Sequence, residues 1–199
     1  PTGAAKIKGS ITWQMQQDVD KRELWSALTP AGRKQDCIGY LPVEVEDAAV
    51  VTGDPANTQD YLTCSYEFQV PDAAFRLGTK LLVPGIDDFS AAIQLPIQAQ
   101  RRHPVRWHYA RSVQSDVTYT LPPGATIAAL PEATTLKGPE GITFQAHWLR
   151  TDKDNEVRLR GQLLVDKPGL APEDIEATRN FISAMRSYLN SGIEVQVGP

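Results

Sequence analysis

Apolar and polar residues alternate along much of this chain, and a period of two puts the apolar set on one face of an extended strand. Ile7, Gly9, Ile11, Trp13 and Met15 alternate with Lys8, Ser10, Thr12 and Gln14, which predicts a half-buried first strand. Between Tyr61 and Val70, the residues Leu62, Cys64, Tyr66, Phe68 and Val70 alternate with Thr63, Ser65, Glu67 and Gln69. After a break at Pro71 and Asp72, Ala74 to Val83 predicts a returning strand that pairs antiparallel with it, Gly78 marking a bulge or a close backbone contact. Farther along, Val117, Tyr119 and Leu121 alternate with Asp116, Thr118 and Thr120 before the turn Pro122-Pro123-Gly124. Ile142, Phe144, Ala146 and Trp148 then share one face and leave Thr143, Gln145 and His147 on the other. A turn rich in Asp and Asn, Asp152 to Asn155, leads into Val157, Leu159, Gly161, Leu163 and Val165, which alternate with Arg158, Arg160 and Gln162, so the two runs read as a hairpin.

Helical spacing shows in fewer places. Leu24, Trp25 and Leu28 predict a helix over Val19 to Leu28, capped by Asp18 or Asp20 and closed by Pro30. A second short helix fits Arg33 to Leu41, limited by Gly39 and Pro42, and Thr52-Gly53-Asp54-Pro55 marks a loop. Past Lys167-Pro168-Gly169, the residues Pro172, Glu173 and Asp174 open a helix whose first turn favours acids, because its amides are unpaired. Ile175, Ile182, Met185 and Leu189 form its stripe, with Phe181 and Tyr188 beside it, a pattern that belongs to a core-facing helix. Asn190 and Gly192 close it, and Ile193, Val195 and Val197 add a last short strand.

The pattern therefore predicts an α+β, mainly β protein, with antiparallel β-sandwich-like sheets, a C-terminal amphipathic helix covering one sheet, and one or two short helices near the N-terminus. Pro84-Gly85 ends the returning strand, and Ile86 to Gln100 has a mixed pattern in which Pro96 argues against a central strand. A boundary near Gln98 divides the chain into a β-rich sub-domain 1–98 with short helices and a β-rich sub-domain 99–199 with the C-terminal helix. No Gly- or Ser-rich linker separates them, so they are expected to be tightly joined.

Composition narrows the function classes. An apolar content of 41% over 199 residues supports a real core. No apolar run approaches the roughly eighteen residues of a bilayer span, and no basic-then-apolar leader is present at the start. The first residue is Pro1, not Met, as expected of a processed protein or of a piece of a longer one. A net charge of -4, from 20 basic and 24 acidic residues spaced along the chain, lacks the clustered Lys and Arg of a nucleic-acid surface. The local exception is Arg101, Arg102, His103 and Arg106, which reads either as a charged strand edge that discourages sheet-to-sheet pairing or as a partner-binding patch. With Trp107 and Tyr109 beside it, this stretch supplies the candidate binding residues Arg101, Arg102, Arg106, Trp107 and Tyr109.

No catalytic residue, metal site or cofactor is predicted. Cys37 and Cys64 are too few for a zinc site and form no Cys-x-x-Cys pair, and His103, His108 and His147 show no ligand spacing. Cys64 falls on the apolar side of its strand as a core thiol, and a bond to Cys37 depends on a Cα separation that sequence does not provide. Cys37, near a helix end, is the only nucleophile to weigh for an enzyme, and no histidine can be placed within its reach. His108 reads as an exposed strand residue and His103 as an extended residue before Pro104. Asp87-Asp88 and Asp152 to Asp154 fit turn chemistry better than a calcium loop, since no regular oxygen-ligand spacing ends in Glu. Nucleotide loops and the Gly-x-Ser-x-Gly elbow are absent. Trp25, Trp107, Tyr109 and Trp148 could form an aromatic platform for a peptide or carbohydrate, but Trp107 and Trp148 fall on apolar strand faces, where burial is the simpler expectation.

Four features, the run Arg101-Arg102-His103-Pro104-Val105, the strand and turn Tyr119-Thr-Leu-Pro-Pro-Gly124, the hairpin ending near Val165, and the helix start Pro172-Glu-Asp174, together resemble the C-terminal region of bacterial transglutaminase-like proteins. Those proteins carry an N-terminal β-rich domain of unknown function, then a papain-like core, then β-rich segments. The resemblance covers the last hundred residues or so best. It implies a non-catalytic structural or interaction region, with the Cys-His-Asp triad upstream of Pro1, a neighbouring domain or another protein as partner, and a periplasmic or cell-envelope setting. The alternatives are an autonomous extracytoplasmic binding protein for a peptide or carbohydrate and, behind it, an enzyme using Cys37.

Overall fold

The computed structural model describes residues 5–14, 16–41, 48–71, 73–77, 80–85, 89, 93, 95, 103–107, 110–121, 123–139 and 141–197. Within them the chain runs β1 (Ala5–Trp13), α1 (Gln16–Ala27), α2 (Pro30–Ile38), β2 (Ala49–Thr52), β3 (Thr63–Val70), β4 (Phe75–Leu77), β5 (Lys80–Val83), β6 (Val105–Arg106) and β7 (Arg111–Thr120). It continues through β8 (Ala125–Ala129), β9 (Thr134–Lys137), β10 (Ile142–Arg150), β11 (Glu156–Val165), β12 (Gly169–Leu170), a 3-10 turn at Pro172–Asp174, α3 (Ile175–Ser191) and β13 (Ile193–Val197). The fold is α+β and mainly β, and every strand pair is antiparallel. A seven-stranded sheet has the order β2-β3-β1-β7-β11-β10-β9, a four-stranded sheet the order β4-β5-β13-β8, and β6 pairs with β12.

The period-two pattern lands as expected. Ile7, Ile11 and Trp13 of β1, Cys64, Tyr66 and Phe68 of β3, Val117 and Tyr119 of β7, Phe144 and Trp148 of β10, and Leu159 and Leu163 of β11 all bury on one face of the large sheet. Each such side chain contributes roughly 1.5–3 kcal/mol through removal from water. Three layers cover that face. At the β1–β3 end, Trp25 of α1 stacks edge-on against Trp13 at 5.4 Å, and Cys37 of α2 is bonded to Cys64 of β3. At the other end α3 sets Tyr188 against Phe144 at 6.3 Å, and the Tyr188 hydroxyl donates to the Ala146 carbonyl. The small sheet packs on the same face, where Gly85 after β5 meets Trp148, Leu159 and Leu189; its Val83, Ile127 and Val195 are buried, and Arg150 at the end of β10 donates to the Ile127 carbonyl at 2.9 Å.

The β-strands mix the two halves of the chain. β1 lies between β3 and β7, and β5 lies beside β13, so both sheets draw strands from before and after residue 98.

Several expectations are corrected. Asp18 does not cap α1; it lies in the first turn, where its carboxylate takes the Leu62 N–H at 2.6 Å and the Arg22 guanidinium at 2.7 Å, tying the helix to the chain before β3. Leu24 is exposed, because the positions that face the core are Lys21 and Trp25, one helical turn apart, and Leu24 lies off that stripe. Pro30 opens a helix where a closing role was predicted: it stands in the first turn of α2, and the Thr29 hydroxyl caps the Gly32 N–H at 3.2 Å.

The returning strand does not pair with β3, whose neighbours are β1 and β2; it splits into β4 and β5, which pair with each other in the small sheet. On α3, Thr178 and Phe181 bury more fully than Ile182, since Phe181 fills the space above Gly138. Of the strand-like run around Trp107, Val105–Arg106 form a strand and Trp107 lies just beyond it, while His108 and Tyr109 lie outside the described residues. Gly192 does close α3, at φ 54°, where the Val83 carbonyl oxygen would lie 2.3 Å from any Cβ. Met15, Gly78, Asp87, Asp88 and Pro122 lie outside the described residues.

Candidate functional site

The same alternation that fills the core supplies the other face of the large sheet, and among the described residues no element packs upon it. The register stacks its side chains in rows across the strands. One row runs Val51, Ser65, Ser10, Asp116, Arg160, His147 from β2 to β10. The next runs Thr63, Thr12, Gln114, Gln162, Gln145, Thr135 from β3 to β9. Between these rows lies a shallow depression of about 420 Å³, lined by Ser10, Thr12, Gln114, Ser115, Asp116, Gln145, His147, Arg160, Gly161 and Gln162. Its chemistry is hydroxyl, amide, carboxylate, guanidinium and imidazole, with no Phe, Tyr or Trp side chain.

Asp116 organises the charged side of the depression. Its carboxylate receives a two-pronged contact from Arg158 and a 3.1 Å bond from Nε of Arg160. The Asp116 hydrogen bond raises the Arg158 pKa above its ordinary value, with desolvation opposing and the carboxylate charge assisting. Such part-exposed pairs add little stability, about 0–1 kcal/mol each, so their effect is to hold the guanidinium groups in place. Toward the other side of the face Lys6 meets Glu67 at 2.7 Å, and that hydrogen bond holds the Glu67 carboxyl below its ordinary value. Smaller contacts order the amide and hydroxyl row, including Thr12 with Thr63 at 3.3 Å and Gln162 donating to Ser112 at 3.3 Å.

The face is also cationic relative to the molecule. By strand register it carries Lys6, Lys8, Lys137, Arg158 and Arg160 against Glu67, Asp116 and Glu156. Five cations and three acids leave it at +2, so the remainder of a chain with net charge -4 carries -6.

Of the binding residues singled out in sequence, the two that the structure describes, Arg106 and Trp107, do not line this depression. Trp107 is buried, its N–H donates to the Pro168 carbonyl at 2.8 Å through the backbone, and Arg111 lies over its ring at 6.0 Å. Arg106, on β6, and His103 are exposed, whereas Arg101, Arg102, His108 and Tyr109 lie outside the described residues. Trp13, Trp25 and Trp148 are buried as well, so no tryptophan is left on the surface for an aromatic platform. Cys37 and Cys64 are both fully buried and joined in a disulfide with Cα atoms 6.2 Å apart, which leaves Cys37 without the thiol a nucleophile needs. The depression's own residues, Asp116, Gln145, His147, Arg160 and Gln162, are the polar halves of runs that were read as strands. Alternation placed each on a polar face and the predicted hairpin joins β10 to β11, but only the strand order brings Asp116 of β7 beside them.

Residues 82–195 match the family model of DUF3858, a domain of unknown function with a solved structure. That is more than half of the 199 residues. The chain belongs to the DUF3858 family. No curated protein and no solved structure matches it. The DUF3858 region runs from β5 into β13 and so holds β7, β11, β10 and β9 of the large sheet, the small sheet except β4, and α3. Eight of the ten residues lining the depression lie within the DUF3858 region, the others being Ser10 and Thr12 of β1.

Proposed function

We propose that this DUF3858 chain is a non-catalytic interaction region of a larger transglutaminase-like protein, docking through the open face of its seven-stranded sheet onto a neighbouring domain of the same polypeptide. The observation that carries this reading is the asymmetry of the sheet: helices and a second sheet cover one face, while the other presents ordered rows of polar side chains around a depression. A polar face with positioned charges suits a partner that must be recognised and oriented. The Cys37–Cys64 bond supports an oxidising compartment such as the periplasm or cell envelope, because such bonds persist where thiols are not kept reduced.

Histidine footprinting with diethyl pyrocarbonate tests the proposal, since His147 lies on the open face and His103 is exposed beside the Arg106 patch. The isolated chain is compared with the full natural polypeptide. Docking through the open face lowers labelling of His147 and leaves His103 unchanged. Loss at His103 alone would move the interface to the basic stretch around Arg106, and equal labelling of both in the two samples would refute docking within the polypeptide.

A further inference from the structure

This inference rests on the docking face proposed above and concerns what the face recognises. Arg160 stands in register between Asp116 and His147. Asp116 engages its Nε, and among the described residues the two Nη groups of Arg160 have no hydrogen-bond partner. A guanidinium fixed at one nitrogen, with its remaining donors directed elsewhere, is prepared for a planar anion. Amide donors lie in the adjacent row, Gln145 exposed on β10 and Gln114 exposed on β7. The apolar side chains of this face, Ala49, Val51, Leu149 and Leu164, stand outside the depression, so it offers no stripe for an apolar helix to lie in.

We propose that the depression receives a carboxylate from an acidic segment of the partner polypeptide, with the Nη groups of Arg160 donating to it and Gln145, His147 and Ser10 forming the surrounding hydrogen-bonding wall. Within the lining Arg160 and Asp116 offset each other, but the surrounding face is at +2 on a chain of -4, so the face as a whole attracts what the rest of the molecule repels. Position favours a side-chain or terminal carboxylate on an extended segment, since the depression is shallow and open to solvent across the strands.

The test uses the whole chain and a short fluorescein-labelled peptide of alternating Gly and Glu, followed by anisotropy, with the Gly-Gln peptide as its neutral counterpart. Saturable binding is expected for the acidic peptide, with about tenfold or greater weakening in Arg160→Gln. Gln145→Glu, a change at an exposed position that leaves the fold intact, should weaken it comparably by repulsion. Amide chemical-shift changes should centre on Gln145, His147, Arg160 and Gln162. Equal binding of the neutral peptide, full binding in both variants, shift changes elsewhere, or displacement by an oligogalacturonate more readily than by excess unlabelled peptide would each overturn the proposal. If His147 is shielded in the full polypeptide yet the acidic peptide does not bind, the docking face stands and the carboxylate assignment falls.

Discussion

Lys21 of α1 and Asp36 of α2 form a 3.0 Å ion pair with the lysine side chain only 9% exposed. The same Asp36 oxygen accepts Trp25 Nε1 at 2.7 Å, and the Lys21 ammonium also donates to the Tyr40 hydroxyl at 2.8 Å while lying 5.2 Å from the centre of the Trp13 ring. Two helices that bury few apolar residues are thereby locked to each other by one shared carboxylate, and α1 is held to β1 through the contacts of Lys21 and Trp25 with the Trp13 ring. A charge held this far from water is tolerated because hydrogen bonds and ring faces replace its hydration.

Removing one partner should therefore cost far more than a surface pair would. Asp36→Ala is expected to destabilise the chain by about 3–5 kcal/mol, because it leaves a buried ammonium and an indole N–H uncompensated. Lys21→Met, which removes the charge and keeps the stem, should cost less than Asp36→Ala. Urea unfolding of both variants measures the order, and a cost for Asp36→Ala below that of Lys21→Met would count against this account.

The bond between Cys37 and Cys64 closes a loop across 27 positions and ties α2 to β3. Constraint of the unfolded chain by a loop of that size is worth about 3–4 kcal/mol. The double variant Cys37→Ala with Cys64→Ala should unfold at correspondingly lower denaturant, and the intact chain should show no titratable thiol until it is both unfolded and reduced. Thiol reactivity of the native chain at the level of two free cysteines would disprove the pairing.

Burial raises the Tyr188 phenol pKa above its ordinary 10.0. The folded chain therefore keeps the proton longer than the unfolded chain does. Stability from this group is fully present below the unfolded pKa and is lost as pH rises through the folded one, since the unfolded state then binds fewer protons. Thermal unfolding between neutral pH and strongly alkaline pH should show a decline above about pH 10 that is smaller in Tyr188→Phe. An identical alkaline decline in the variant would show that the Tyr188 hydroxyl, which donates to the Ala146 carbonyl, contributes nothing to it.

Much of the architecture was legible in the sequence. In β1, β3, β10 and β11, and in β7 apart from the buried Ser112, the buried positions are those that alternation selects, because the pleat is a local property of extended backbone and sends neighbouring side chains to opposite faces. The C-terminal helix, its closure at Gly192 and the strand after it were equally local. What the short strands β2, β8 and β9 lacked was length: four or five residues with weak alternation carry little signal.

The sequence by itself determined the class of the protein, mainly β with a helix on one sheet, and which half of each long strand faces water. Tertiary structure alone decided that β1 lies between β3 and β7, that Cys37 meets Cys64, that the returning segment joins the small sheet, and that Ser10, Asp116, Arg160 and His147 stand in one row. The physical reason is range: which face a side chain takes depends on its own backbone, whereas which strand becomes its neighbour depends on how distant apolar faces pack together against the cost of closing the loops between them.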